Sequence, residues 1–345
     1  MNILVTGGLG MIGYSLVSQL LRQNHRVYCV DYVTRAAHLL DSAGINLFYK
    51  HKKLTTLLKD KNFTYYDIDI ARVASGPLFD KYQKPQTLYS LATILPPIDA
   101  MVHLCALPSV AISENNPALF LSINNTTLVN ALEAAKTLRT RFLYASSSSV
   151  YGNRANEDES CGDLRPMSVY AQSKLQGESL VEFYHRKYSL AALAMRFFTV
   201  YGPYNRPDML THLVLNSIYR KQQIDIYNNA LNMRDFMFVE DLSSIICYLI
   251  EKNCIAGFDI LNIGAHNPIS LEEFIGVFEK NAGMQANKKI IATKREFEPQ
   301  VTNCNNTKLL KIFQPNFTPV EVGASLTNMN FKNIYMKLPT LTDIV

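Results

Sequence analysis

Short, nearly continuous apolar runs recur at residues 2–6, 26–31, 65–69, 100–104, 141–146 and 190–196, and the stretches 11–23, 119–137 and 169–188 between them carry helical periodicity. Apolar strands that do not alternate need cover on both faces, which crossover helices provide. The pattern predicts a doubly wound α/β fold on a parallel sheet. Residues 32–58 read as a loop and a helix. Beyond residue 196 the elements shorten among Pro203, Pro207 and asparagine-rich turns, with helices expected at 208–221, 239–252 and 270–282. This later region reads as a smaller lobe over the carboxyl edge of the sheet, where such folds bind ligands.

Composition narrows the picture. The 345 residues are 48% apolar and 18% charged, enough to bury a large core. The net charge of +5 is dilute, and its densest basic run, Lys50-His51-Lys52-Lys53, reads as a solvated helix face, so no nucleic-acid partner is expected. Six cysteines without a C-x-x-C pair, and seven histidines without H-E-x-x-H or H-x-x-E-H spacing, argue against a disulfide framework or a metal site. No apolar run reaches the ~18 residues of a membrane span. No charged segment precedes the first apolar run, as a secretory signal would require. A cytoplasmic protein is the expectation.

The first strand leads into Thr6-Gly7-Gly8-Leu9-Gly10-Met11-Ile12-Gly13, a G-x-x-G-x-x-G between a strand and a helix. Gly7 permits the tight turn, Gly10 the approach of a pyrophosphate and Gly13 close packing of the helix on the sheet. An anion there faces the free N–H groups and the positive end of the helix dipole. Asp31 closes the second strand, where a carboxylate accepts from ribose hydroxyls and repels a 2′-phosphate. The combination reads as a Rossmann-type site for NAD rather than NADP.

A second constellation lies downstream. Tyr170-Ala171-Gln172-Ser173-Lys174 sets a phenol and an ammonium four residues apart on one helix face. A phenol near its ordinary pKa of ~10 is too weak a base at neutral pH, and a neighbouring Lys⁺ together with a positive nicotinamide ring lowers that value. Tyr144-Ala145-Ser146-Ser147-Ser148-Ser149-Val150-Tyr151-Gly152 follows a buried strand and brings a hydroxyl toward the tyrosine.

TGGLGMIG, Asp31, HLCA, SSSSVYG and Y-x-x-x-K together resemble the extended short-chain dehydrogenases/reductases of the nucleotide-sugar epimerase/dehydratase group, over nearly the whole chain. The stretch from Phe197 through Arg206-Pro207-Asp208-Met209, and IDIYNNALNMRDF followed by Val239-Glu240-Asp241, resembles the UDP-glucuronate 4-epimerases within it. The resemblance implies a Rossmann-type domain over residues 1–195, joined by 237–264, and a mixed α/β substrate lobe over 196–236 and 265–345. It implies Ser147, Tyr170 and Lys174 as the catalytic set. The cofactor grip falls on Gly7, Gly10, Met11, Ile12 and Asp31, on Asp69-Ile70 beside the adenine (Asp67-Ile68 in the other register), and on Leu104, Cys105, Ala106, Asn124, Tyr170, Lys174 and Phe197. Ser147, Ser148, Thr199 and Arg206 match sugar-pocket positions, Arg206 as the partner of a uronate carboxylate. Arg234 and Arg295 match the diphosphate clamp and Glu298 the contact to the uridine ribose; guanidinium forks suit such oxyanions. A homodimer and a place in polysaccharide biosynthesis are also implied.

Dehydratases of the group need a carboxylic acid and a carboxylate where Ser148 and Ser149 stand, and oxidative decarboxylases carry Glu at the latter position. Hydroxyls alone leave oxidation and re-reduction, hence 4-epimerisation through a 4-keto sugar that turns over before its hydride returns. Departures bear on the sugar more than on the chemistry. Ala111 stands where an arginine is usual, HLAAQ becomes HLCAL, Phe297 replaces a glycine, and Ala230 and Leu231 precede Asn232. A UDP-hexose or UDP-N-acetylhexosamine 4-epimerase therefore stands as an alternative, followed by an NAD(P)-dependent sugar dehydrogenase or reductase and by an inactive NAD-binding scaffold.

Overall fold

The computed structural model describes residues 1–33, 43–73, 76–80, 82–154 and 157–337. The chain opens with β1 (Asn2–Thr6), α1 (Met11–Arg22), β2 (Arg26–Asp31), α2 (Ala43–Leu57), β3 (Phe63–Asp67), α3 (Leu88–Ala92) and β4 (Ala100–His103). It continues through α4 (Val110–Asn115), α5 (Pro117–Leu138), β5 (Arg141–Ser147), α6 (Val169–Tyr188), β6 (Ala192–Phe197) and β7 (Thr199–Tyr201). Then come α7 (Leu210–Arg220), β8 (Ile224–Ile226), β9 (Met233–Phe238), α8 (Val239–Glu251), β10 (Phe258–Ile263) and β11 (Pro268–Ser270). The last elements are α9 (Leu271–Ala282), β12 (Lys288–Ile290), α10 (Thr307–Ile312) and α11 (Val320–Ile334).

Seven strands form one parallel sheet in the order β3-β2-β1-β4-β5-β6-β10, the doubly wound fold the apolar pattern predicts. Chain direction across the sheet reverses beside β1, so its loop and that of β4 diverge and leave a crevice at the carboxyl edge. Register aligns the site: Thr6 pairs His103, His103 pairs Tyr144, and Ser147 pairs Phe197. Helices α1 and α8 cover one face through Leu16, Val17, Leu20, Leu242, Ile245 and Ile246. Helices α3, α5 and α6 cover the other through Leu91, Leu128, Leu132 and Val181. A separate core under α7, α9 and α11 fills the smaller lobe, where the Phe236 and Phe274 rings stack 3.6 Å apart.

One expectation shifts and two elements are found that the sequence pattern does not predict. The third strand spans Phe63–Asp67, not 65–69: Ile68 N–H makes the last bond, to Asp31 O at 3.1 Å, and Asp69 then turns the chain by accepting from Ala71 N–H at 3.0 Å. The strand Phe258–Ile263 and the helix Val320–Ile334 carry no clear signal in the sequence, the first because it is an edge strand with a half-exposed start, the second because polar residues and Gly323 interrupt its apolar face.

Candidate active site

Gly7 has φ +74°, and its N–H donates to Val30 O at 2.8 Å. A Cβ on Gly13 would lie 2.2 Å from Gly7 O, and one on Gly7 would lie 2.8 Å from Cys105 N, so strand, loop and helix close on one another only without side chains. Gly10 is the N-cap of α1 in extended conformation and leaves the helix start without a side-chain cap. Met11 and Ile12, in its first turn, are half-buried. A bare helix N-terminus over a glycine cradle fits the diphosphate of a dinucleotide.

Asp31 accepts from Leu9 N–H at 2.9 Å, Tyr32 N–H at 2.7 Å and Lys50 Nζ at 2.6 Å. A carboxylate offers about four acceptor directions, so one remains for a ribose hydroxyl. Lys50 pairs its charge, which alone therefore does not carry the expected discrimination against a 2′-phosphate. The basic run is not a solvated face: His51 and Lys52 are exposed, but Lys50 turns to Asp31 and Lys53 is only 3% exposed, with Nζ 2.9 Å from Leu9 O. Helical geometry separates them, since residues three apart share a face and those between do not.

Further along the edge, Leu104 N–H donates to Thr6 O at 3.0 Å, and Asn124 holds the following stretch by accepting from Leu107 N–H at 2.7 Å and donating to Leu107 O at 3.2 Å. The same amide donates to Ser173 on α6 at 2.9 Å, tying the loop to the helix of the tyrosine. Ala106 is half-buried in that loop, and burial pushes the neighbouring Cys105 thiol up to about 12, making it a packing group at neutral pH. Ile70 is buried in the turn that Asp69 forms, and Phe197 ends β6 beside Ser147.

Ser147 ends β5, and its Oγ accepts from the Ser149 hydroxyl at 2.9 Å and from Ser149 N–H at 3.2 Å in a short turn that begins at Ser148. Ser168 caps α6 by accepting from Ala171 N–H at 3.1 Å, and Tyr170 N–H donates to Ser113 at 3.1 Å, so Tyr170 sits in the first turn of an anchored helix. Burial raises the Tyr170 phenol, while a hydrogen bond with Ser147 and the positive charge of Arg206 pull it back. Lys174, 4% exposed, donates to Ala145 O at 2.8 Å and lies 5.8 Å from the Tyr170 ring centre. Burial lowers its pKa to about 8. The cation acting on the phenol here is thus Arg206, with Lys174 under the ring rather than at its oxygen.

Arg206 forks onto Asp208 at 2.9 and 2.8 Å. That carboxyl is held below its usual range by Arg206 against the opposing effect of burial. Thr199 begins β7 and is half-buried. Arg234 and Arg295 converge on Glu298, at 3.9 and 3.1 Å, and Arg295 stacks 3.8 Å over Tyr227. The sequence pattern does not single out Tyr227; an aromatic directly before the asparagine pair is its only local trace.

Other supports were also invisible locally. Glu178 accepts from Ser146 at 2.5 Å and from Arg196 at 2.9 and 2.8 Å, fully inside the protein. Asp235 accepts backbone N–H groups of Ala265, His266 and Cys304 at 3.1, 2.9 and 3.1 Å, joining three segments of the smaller lobe. Arg196 alone offered a clue, as the single charge in an otherwise apolar strand.

Fold, glycine cradle and the Ser-Tyr-Lys set together define an enzyme that acts through a dinucleotide. A model described as the NAD dependent epimerase/dehydratase family matches residues 3–264; the chain belongs to that family, and NAD is its cofactor. Among its relatives, Protein CapI of Staphylococcus aureus is 31% identical, over 84% of this chain and 85% of that protein. The UDP-glucuronate 4-epimerase of Thermodesulfobacterium geofontis is 30% identical over 96% of each. The crystal structure of UDP-glucuronic acid 4-epimerase from Bacillus cereus, in complex with UDP-glucuronic acid and NAD, superposes with a TM-score of 0.80 at 27% identity, covering 97% of this chain and 100% of that one.

Proposed function

We propose that this chain is a UDP-sugar 4-epimerase that interconverts UDP-glucuronate and UDP-galacturonate. The observation that carries it is Tyr170 against Ser147, with hydroxyls but no carboxylate at Ser148 and Ser149. In this reading Tyr170 Oη takes the proton of the sugar C4 hydroxyl and returns one to the C4 oxygen after the 4-keto sugar has turned its opposite face. Ser147 holds the C4 oxygen in line with it, Arg206 favours the phenolate, and Lys174 packs under the ring. NAD, when bound, supplies the hydride acceptor and is regenerated within each turnover. Arg234 and Arg295 grip the diphosphate while the sugar turns, and Glu298 keeps both guanidinium groups aimed and contacts the uridine ribose. Gly7, Gly10, Met11, Ile12, Asp31, Asp69, Ile70, Leu104, Cys105, Ala106, Asn124 and Phe197 line the cofactor, and Ser148 and Thr199 line the sugar.

The reading assigns residues 1–195 and 237–264 to the cofactor domain and the remainder to the substrate lobe. It extends to a homodimer in the cytoplasm, in keeping with six unpaired cysteines; no helix among the described residues is long and apolar enough to cross a membrane.

A neutral UDP-hexose or UDP-N-acetylhexosamine is the second reading, favoured by the Asp208 carboxylate that already fills the Arg206 fork and by Ala111 in place of an arginine. Incubation with each UDP-sugar in turn, without added NAD and followed by proton NMR, separates the two. Inversion at C4 of the uronate supports the first reading, inversion of only the neutral sugars the second, and inversion of none refutes both.

A further inference from the structure

Lys53 lies outside every motif discussed so far. It projects from α2, donates to Leu9 O within the glycine loop at 2.9 Å, and is enclosed by the rings of Tyr14, Tyr49 and Tyr204, whose centres lie 6.0, 6.0 and 5.1 Å from Nζ. These rings come from three places: α1, α2 and the loop between β7 and α7. Tyr204 packs edge-on against Tyr14 at 5.1 Å and Tyr49 at 5.5 Å. Its backbone, at φ +61°, turns in the left-handed region, and its N–H donates to Asn330 at 3.3 Å. Two residues later in the same loop stands Arg206, the cation that acts on Tyr170.

Taking an ammonium out of water is costly unless it is compensated. One carbonyl and three ring faces compensate Lys53 only in part, since the quadrupole of a ring attracts a cation less than a full counter-charge does. The full negative charge that acts on it, Asp31, is already paired with Lys50. The glycine loop that Lys53 touches is the one that takes a diphosphate. We propose that Lys53 is a positioning residue: it supplies a buried positive charge to the diphosphate of the cofactor and, through its tyrosine enclosure, fastens the glycine loop to the loop that carries Arg206. The inference rests on the NAD assignment but not on which sugar is epimerised.

The charged groups facing Lys53 are Asp31 from β2, Lys50 from its own helix and the three phenols. Burial brings its pKa down to about 7, against the opposing pull of Asp31. A bound diphosphate favours the charged form, so affinity is greatest below that value and falls as pH rises through it. ADP-ribose is the probe, because it carries the diphosphate without the nicotinamide ring, whose charge would engage Lys174.

Calorimetric titration of the intact protein with ADP-ribose from about pH 6 to 9 should show roughly tenfold weakening. At the acid end Lys53→Met should bind about tenfold more weakly than wild type and keep a flat profile. Lys53→Arg, charged throughout, should bind without the pH slope. Hydrogen exchange in residues 202–206 should slow on ADP-ribose binding in the wild type and not in Lys53→Met. A flat wild-type profile overturns the proposal even where neither variant folds, and so does a Lys53→Met profile that retains the wild-type slope. Loss of epimerase activity with ADP-ribose binding unchanged would count against the sugar reading alone.

Discussion

At the residue scale the proposed chemistry turns on how one phenol is held. Tyr170 is buried, which opposes its ionisation, and the hydroxyl of Ser147 and the charge of Arg206 favour it. Replacing Tyr170 with Phe keeps the ring that packs over Lys174 and removes only the proton carrier. Turnover followed by NMR should fall by about 10²–10⁴, with NAD still bound to the purified variant; activity within a few-fold of wild type would exclude the mechanism. Arg206 acts both on the phenol and on Asp208. If it also reads a uronate, Arg206→Ala should reduce kcat/KM for the uronate by about tenfold more than for a neutral UDP-hexose, since a lost charge-assisted contact is worth roughly 1.5–3 kcal/mol. Equal losses would assign Arg206 to tuning Tyr170 alone.

Among the elements, α6 and the strands it crosses form the working unit. Its first turn carries Tyr170, its second Lys174, and one turn further Glu178 reaches under the sheet to Arg196 on β6 and Ser146 on β5. Arg196 then stacks 4.7 Å over Tyr151, whose hydroxyl donates to Asn262 on β10 at 2.8 Å. The unanticipated edge strand is thus wired to the strand bearing Ser147. Removing Glu178 leaves a guanidinium buried without its counter-charge, so Glu178→Ala should destabilise the protein by about 3–5 kcal/mol in urea unfolding. A loss below about 1 kcal/mol would mean that water or a rearranged side chain replaces the pair.

For the whole molecule, the junction between sheet and smaller lobe depends on polar groups that leave solvent together. Glu157 accepts from Asn303 N–H while its other oxygen has no hydrogen-bond partner, and burial pushes its carboxyl up to about 8. The folded protein therefore holds a proton that the unfolded chain releases near its ordinary value of ~4.3. This contribution to stability is complete below that ordinary value and is lost as pH rises through about 8. Glu157→Gln, neutral at all pH, should melt above wild type near pH 9 and converge with it near pH 5 in thermal unfolding. A difference independent of pH would refute the buried acid.

The amino-acid sequence by itself determined what depends on backbone conformation and short spacing. That covers the glycine cradle, the apolar strands of a doubly wound sheet, and the phenol–ammonium pair one helical turn apart. Each is decided within a few residues, by steric freedom at Gly7 or by the i, i+4 geometry of Tyr170 and Lys174. Only the tertiary structure decided which charges meet. Lys53 read as surface because its own neighbours are basic, yet α2 turns it onto Leu9 O beside Tyr14 and Tyr204 from two distant segments. Glu298 with Arg234 and Asp235 with Cys304 are likewise pairings between segments far apart in the chain, and Glu178 meets Arg196 only because α6 folds back along β6. Their partners are selected by packing and by the cost of leaving a buried charge unmatched, and neither is visible in a local window of sequence.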